Sequence, residues 1–146
     1  MSPNYFHETE ALKKLGIKCG SNCKVHCTVI ITHPKNLKLG NNVRIDSFTT
    51  IINPNKINIG NFIHIGSHVL IHAGMKKVIL KDFSGVSSGV KIFTHTDDYS
   101  GNEFYSCFNK NSKKTGKAKD ITLEKYCLIG TNSVVIPDAR FGEVQL

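Results

Sequence analysis

Aliphatic residues recur at every sixth position along most of the chain. Leu39, Ile45, Ile51 and Ile57 form one series, Ile59, Ile65 and Ile71 the next, then Leu80, Val86 and Ile92, and finally Leu123, Ile129, Val135 and Phe141. Cys19, Val25, Ile31 and Leu37 keep the same phase more weakly. A period of six is neither the 3.6 of an amphipathic helix nor the plain alternation of a half-buried strand. A longer similarity overlies it. Leu37-Lys38-Leu39-Gly40, Ile57-Asn58-Ile59-Gly60, Val78-Ile79-Leu80-Lys81 and Ile121-Thr122-Leu123-Glu124 match one another at spacings of 20, 21 and 43 residues. Self-similarity at a fixed period of this length marks a solenoid. Three sides of six residues with two linking residues fill a unit of 20, so each unit reads as one rung of a three-sided coil. Each side is then a short strand followed by a turn, with the aliphatic column pointing inward and stacking rung on rung. Gly40, Asp46, Gly60, Gly66 and Gly130 follow inward residues, as tight corners favour. A β-sandwich of short strands does not hold a six-residue phase through five units.

Two segments break the pattern. Residues 2–16 read as a short helix, with Ser2 as N-cap, Pro3 at the first helical position and Gly16 just past the end. Its Phe6, Leu12 and Leu15 would cap the open end of the coil. The 43-residue spacing exceeds one rung, so residues 97–119 are expected to loop out between coil segments 17–96 and 120–146. Long polar insertions in compact repeats usually carry function or are disordered.

Composition narrows the class further. The chain has 146 residues, 40% hydrophobic and 21% charged, which suits one globular domain. Its five cysteines are an odd number, and Cys19, Cys23 and Cys27 are spaced by four, unlike a zinc knuckle. They read as thiols in a reducing compartment. No segment approaches the roughly 18 apolar residues of a membrane span, and the N-terminus lacks an apolar signal core. A cytoplasmic protein is expected. The net charge of +8 implies an anionic partner or a solvated lysine-rich surface. Nucleic acid is not expected, because basic and aromatic residues do not interleave on one face.

The repeats resemble the hexapeptide-repeat acyltransferases. More narrowly, Leu80-Lys81-Asp82-Phe83-Ser84-Gly85-Val86-Ser87-Ser88-Gly89 and Asp97-Asp98-Tyr99-Ser100-Gly101 are similar to O-antigen and capsule sugar acetyltransferases, relatives of the galactoside acetyltransferases. The resemblance covers about residues 17–143. It implies an all-β fold, a left-handed parallel β-helix with a short N-terminal helix and an inserted loop. The left hand comes from the resemblance alone, since the usual crossover rule predicts the opposite. It also implies a homotrimer with active sites between coils, acetyl-CoA as acyl donor, a sugar or sugar-nucleotide acceptor, no metal, and a catalytic His at the start of the inserted loop. Such proteins act in surface polysaccharide biosynthesis, including lipopolysaccharide. Family members usually continue by another rung and a cap. Here the repeat enters a new turn at Phe141-Gly142 and stops at Leu146, which implies a shortened C-terminus.

Acyl transfer from a thioester to a hydroxyl requires a base, an oxyanion donor and two substrates held together. Histidine suits the base, since its ordinary pKa lies near 6.5. His95 is the first candidate. It falls three residues after the inward Ile92, where earlier rungs have the turn residues Pro34, Pro54 and Gly74. It also matches the catalytic His of galactoside-type relatives. His64, His68 and His72 are spaced by four but lie on successive faces of the coil, so they cannot converge on a metal within one chain. His72 shares a face with His95 one rung below and is a candidate substrate contact. Asp97, Asp98 and Tyr99 can orient the imidazole, bind the acceptor or simply start the loop. Ser87, Ser88 and Gly89 are small enough to let the cofactor approach the backbone. Lys119 and Arg140 are candidate phosphate contacts, beside Lys110, Lys113, Lys114 and Lys117 of the basic insertion. Three readings stay open: a sugar O-acetyltransferase, an inactive or truncated β-helix scaffold, and an amino-sugar N-acetyltransferase.

Overall fold

The structure is a computed structural model that describes residues 5–101, 116–139 and 141. The chain winds as a parallel β-helix with three faces. The first face carries strands Lys24–His26, Val43–Ile45, Ile63–Ile65, Gly85–Val86 and Leu128–Ile129. The second carries Ile30–Ile31, Thr50–Ile52, Leu70–His72, Lys91–Phe93 and Val134–Val135. The third carries Lys18–Cys19, Leu37–Leu39, Ile57–Ile59, Val78–Leu80 and Ile121–Leu123. Each rung is in register with the next. Ile45 pairs with Ile65 and Ile65 with Val86, and all three are buried in one column. On the second face Ile51, Ile71, Ile92 and Val135 align in the same way. Val78 pairs directly with Ile121, so the residues between them complete one rung and carry an insertion.

The corner glycines do a different job from the one expected. Gly40 and Gly60 do not have positive φ; the left-handed residues come two positions later, Asn42 and Phe62, with Phe83 and Tyr126 in the same place after Lys81 and Glu124 on later rungs. Gly40 is instead required for space. A Cβ there would lie 2.6 Å from both the Asn61 side-chain oxygen and the Gly60 carbonyl. That gap admits a polar ladder along the corner. The side-chain oxygens of Asn41, Asn61 and Asp82 accept from the backbone N–H groups of Ser21, Asn41 and Asn61, each at 2.8 Å. Left-handed backbone costs an aromatic residue roughly 1–2 kcal/mol. Stacking offsets part of this: Phe62 lies on Phe83 at 5.0 Å, and Phe83 on Tyr126 at 5.3 Å, with rings nearly parallel.

The N-terminal element departs from the expected helix over residues 2–16. The helix spans only Thr9–Lys14, and Phe6–Glu8 before it is a strand, antiparallel to Lys24–His26. The cause is the open edge of the first rung, whose unpaired backbone groups a strand satisfies and a helix cannot. Ser2 and Pro3 lie outside the described residues. Gly16 ends the helix as expected, with φ +88° and its N–H donating to the Lys13 carbonyl at 2.9 Å. Leu12 caps the core, and Thr9 accepts from the Cys23 N–H at 3.0 Å, but Leu15 is exposed rather than capping. Cys19, Cys23, Cys27 and Cys127 are free thiols, and Cys107 lies outside the described residues.

Among the described residues, polar side chains in the core are hydrogen-bonded except that of Ser84. Asn53 donates to the His33 carbonyl at 2.8 Å, and Thr49 to that of Gly66 at 2.9 Å. Ser84, buried between Val86 and the corner, has no partner for its hydroxyl. Two substitutions should therefore move stability in opposite directions. Gly40→Ala should cost about 2–3 kcal/mol, because it breaks the corner ladder. Ser84→Ala should be neutral or stabilise by about 1 kcal/mol, because it removes an unsatisfied hydroxyl. Denaturant melts of the two variants check this; a Gly40→Ala midpoint equal to wild type would contradict the space argument.

Candidate active site

The second face turns into the third at a corner occupied by Pro34, then Pro54, then Gly74 on successive rungs. On the next rung the chain leaves the coil instead. Strand Lys91–Phe93 ends at Thr94, which is buried and anchored to the rung below. Its N–H and its hydroxyl both donate to the His72 carbonyl, at 3.1 and 3.3 Å. The chain then departs as a short strand, His95–Thr96, and returns antiparallel to it as Lys117–Ala118. His95 is thus rooted on the rigid coil, at the base of a two-stranded stem.

The stem packs His95 against His72. The two rings meet edge to face with centroids 5.0 Å apart. Phe93 flanks His72 at 5.9 Å, again edge on. Gly74 forms the wall beneath both imidazoles. A Cβ on it would lie 3.1 Å from His72 Nε2 and 3.2 Å from His95 Cε1, so any side chain there would crowd the pair. Nδ1 of His95 is shielded from solvent and has no hydrogen-bond partner. Burial, reinforced by the neighbouring His95, holds the His72 imidazole below its ordinary pKa range.

The other expected residues divide by location. Asp97, Asp98 and Tyr99 continue from His95 and are exposed, Tyr99 to 84%. Asp98 accepts from the Ser100 N–H at 2.9 Å, a loop-starting contact, while Asp97 immediately follows the stem. Ser87, Ser88 and Gly89 lie at the opposite end of the second face, before strand Lys91–Phe93, so a single coil does not bring them to His95. The N–H groups of Ser87 and Gly89 already donate to the Ile129 and Ser67 carbonyls. Lys119 lies in the return of the insertion with its ammonium paired to Asp138. Arg140, Lys110, Lys113 and Lys114 lie outside the described residues.

The remaining histidines scatter as their spacing implied. His64 binds Asp46 at 2.7 Å on the first face, and His68 stacks on Phe48 at a corner. Among the described residues no three His, Cys, Asp or Glu side chains gather within reach of one metal ion. Nor is any described helix long and apolar enough to cross a membrane. Sequence reasoning passed over Thr94 and Asp138 as parts of the site. Nothing in the local pattern marks them, since one is defined by burial and the other by a partner 19 residues away.

The chain is similar to AntD, an N-acyltransferase from Bacillus cereus. AntD in complex with dTDP and 3-hydroxybutyryl-CoA shares 31% identity and a TM-score of 0.82, over 93% of this chain and 72% of AntD. A point mutant of AntD with dTDP and coenzyme A matches at 31% identity and a TM-score of 0.82, over 93% and 73%. Another, with dTDP-4-amino-4,6-dideoxyglucose and coenzyme A, matches at 31% and 0.82, over 92% and 72%. No protein-family model and no curated protein matches the sequence. With a registered three-faced coil, an insertion that leaves at the corner holding His95, and this identity across most of both chains, the protein belongs to the hexapeptide-repeat β-helix acyltransferases.

Proposed function

We propose that the protein transfers an acyl group from acyl-coenzyme A to the amino group of a nucleotide-linked sugar. AntD, bound to an amino-sugar nucleotide and coenzyme A, supports the amine as acceptor. The observation that carries the site assignment is the His95 imidazole, fixed at the stem base with an unpartnered Nδ1 beside His72. In this reading the acceptor ammonium first gives up one proton to solvent, and the neutral amine nitrogen then attacks the thioester carbonyl while His95 takes its second proton. The tetrahedral oxyanion collapses, the C–S bond breaks, and the proton ends on the departing thiolate. Asp97, next to the stem, attracts the acceptor as its ammonium form. His72, Asp98 and Tyr99 line the acceptor side.

The second face supports assembly into a homotrimer. Its outer surface carries Ile30 and Val134, 60% and 59% exposed, with Ile52, Phe93 and Ile136 beside them. A neighbouring coil laid on this face would cover apolar surface and bring its own Ser87–Gly89 corner towards His95, giving coenzyme A a groove between subunits. Lys119 is engaged by Asp138, which leaves Arg140 as the candidate phosphate contact. Both substrates belong to cytoplasmic metabolism, and the acylated sugar would serve surface polysaccharide such as O-antigen or capsule. O-acetylation of a sugar hydroxyl is the rival outcome.

Purified protein with acetyl-CoA and dTDP-4-amino-4,6-dideoxyglucose should release free thiol and form a base-stable amide. An alkali-labile ester would move the assignment to O-transfer, and no coenzyme A binding by calorimetry would leave only the scaffold reading. His95→Ala should lower kcat by about 10²–10⁴-fold. Full activity in His95→Ala with loss in Asp97→Asn would transfer the base role to the carboxylate. A separate consequence concerns pH. Above about pH 6.5 His72 is neutral in folded and unfolded chains alike and contributes nothing. Below that, the unfolded chain takes up the proton more readily than the folded one, so stability falls as pH drops. His72→Gln should flatten the decline of Tm between about pH 7 and pH 5; an unaltered slope would show that His72 is not its source.

A further inference from the structure

We infer that Asp138 is a positioning residue for acyl transfer: from the corner of the last rung it clamps the return strand of the insertion, and that strand holds His95 and Asp97 in place. The inference rests on the proposed reaction only for its catalytic consequence; the clamp itself is geometric.

The stem needs outside support. Among the described residues two pairs, His95 with Ala118 and Thr96 with Lys117, form its ladder. A two-stranded ribbon of this length is marginal in water by itself. Closing the segment between them also carries a loop-entropy cost. Contacts from the coil secure the return from one side. The Lys119 N–H donates to the Thr94 carbonyl at 3.1 Å, the Ile121 N–H to the Lys77 carbonyl at 3.0 Å, and the Lys77 N–H to the Asp120 carboxylate at 2.9 Å. Gly116 comes so close to the outgoing strand that a Cβ would lie 2.5 Å from the Thr96 carbonyl oxygen.

From the last rung comes Asp138. Lys117 and Lys119 lie two apart on the return, so their side chains leave on the same side, with Ala118 opposite. Both ammonium groups reach the Asp138 carboxylate, Lys119 in direct contact and Lys117 at 3.9 Å. Asp138 has φ +78°, a conformation that Asp and Asn tolerate better than other side chains. Asn132, at another corner, adopts φ +60°. The turn alone therefore accepts either residue, and the carboxylate is what the clamp adds.

Asp138→Asn separates the two roles, since it keeps the turn and removes the charge. Hydrogen exchange of the His95, Thr96 and Lys119 amides should speed up about fivefold in this variant, with the Ile57–Ile59 rung unchanged. Exchange equal to wild type at those amides overturns the inference whatever the protein's activity. Under the proposed reaction, kcat should fall about three- to tenfold with KM nearly constant, because the reacting groups lose alignment. Raising salt should lower wild-type kcat towards that of the variant and leave the variant unaffected. If Lys119 serves cofactor phosphate instead, freeing it would lower the KM for acyl-CoA at constant kcat, and that pattern also overturns the positioning role. Wild-type protein without any acyl transfer would sink the reaction and leave the exchange result to decide the clamp.

Discussion

Each inward side chain is buried only because the same position of the next rung lies on top of it. Neighbouring strands of a ladder are held about 4.8 Å apart, so every face must repeat at that spacing without drift. Ile45, Ile65 and Val86 satisfy this on one face, as do Ile51, Ile71 and Ile92 on another. The same constraint explains the corners. Asn41, Asn61 and Asp82 each accept from the neighbouring rung's backbone, and Gly40 and Gly60 are bare because the ladder runs through the space a Cβ would fill. A slip of one residue would turn the aliphatic column outward and strand these oxygens together.

Registration leaves the corners as the places where the chain can depart. A strand residue has neighbours above, below and behind it, whereas a corner residue mainly reverses direction. The insertion therefore leaves after Thr94 and returns before Ile121, and Val78 still meets Ile121 as though nothing intervened. The proposed chemistry would inherit the rigidity of that junction. Thr94 is tied to His72, His72 abuts His95, and Gly74 beneath them leaves no slack. Packing and backbone hydrogen bonds of the coil thus fix the base of the stem that carries the imidazole, a preorganisation that loops alone seldom provide.

What could be read from the sequence follows from the same physics. The six-residue column was legible because burial repeats locally, and the 43-residue spacing exposed the insertion because the register resumes after it. The N-terminal helix was only half legible. Gly16 marked its end, but Phe6–Glu8 became a strand because of an edge at Lys24–His26 that no local pattern announces. The corner glycines were legible as glycines and misread as turn formers, since the demand for space at Gly40 comes from Asn61 on the next rung. The unusual aromatic residues in left-handed backbone, Phe62, Phe83 and Tyr126, could not be anticipated from propensity. They are stabilised by one another across rungs. His95 stood out by replacing a turn residue at a corner, while Thr94, Gly74 and Asp138 acquire their roles only through neighbours brought together by the coil.

The choice between an amine and a hydroxyl acceptor turns on charge as much as on shape. A hydroxyl arrives neutral and yields its proton only as the new bond forms, so the base must be strong at that moment. A sugar amine arrives largely as an ammonium, must lose a proton before it can attack, and then needs little further help. Anionic groups near the base favour the second acceptor, because they draw in the cation and hold it where the proton can leave. The carboxylates of Asp97 and Asp98 come just after the His95–Thr96 strand and are exposed, while burial and the neighbouring His95 hold the His72 imidazole below its ordinary pKa range. Under the proposed N-acylation, an ammonium entering there would meet the carboxylates first and the imidazole pair next. That order of encounter is what the proposed amine acceptor would use, whereas a neutral hydroxyl would draw no such attraction from the carboxylates.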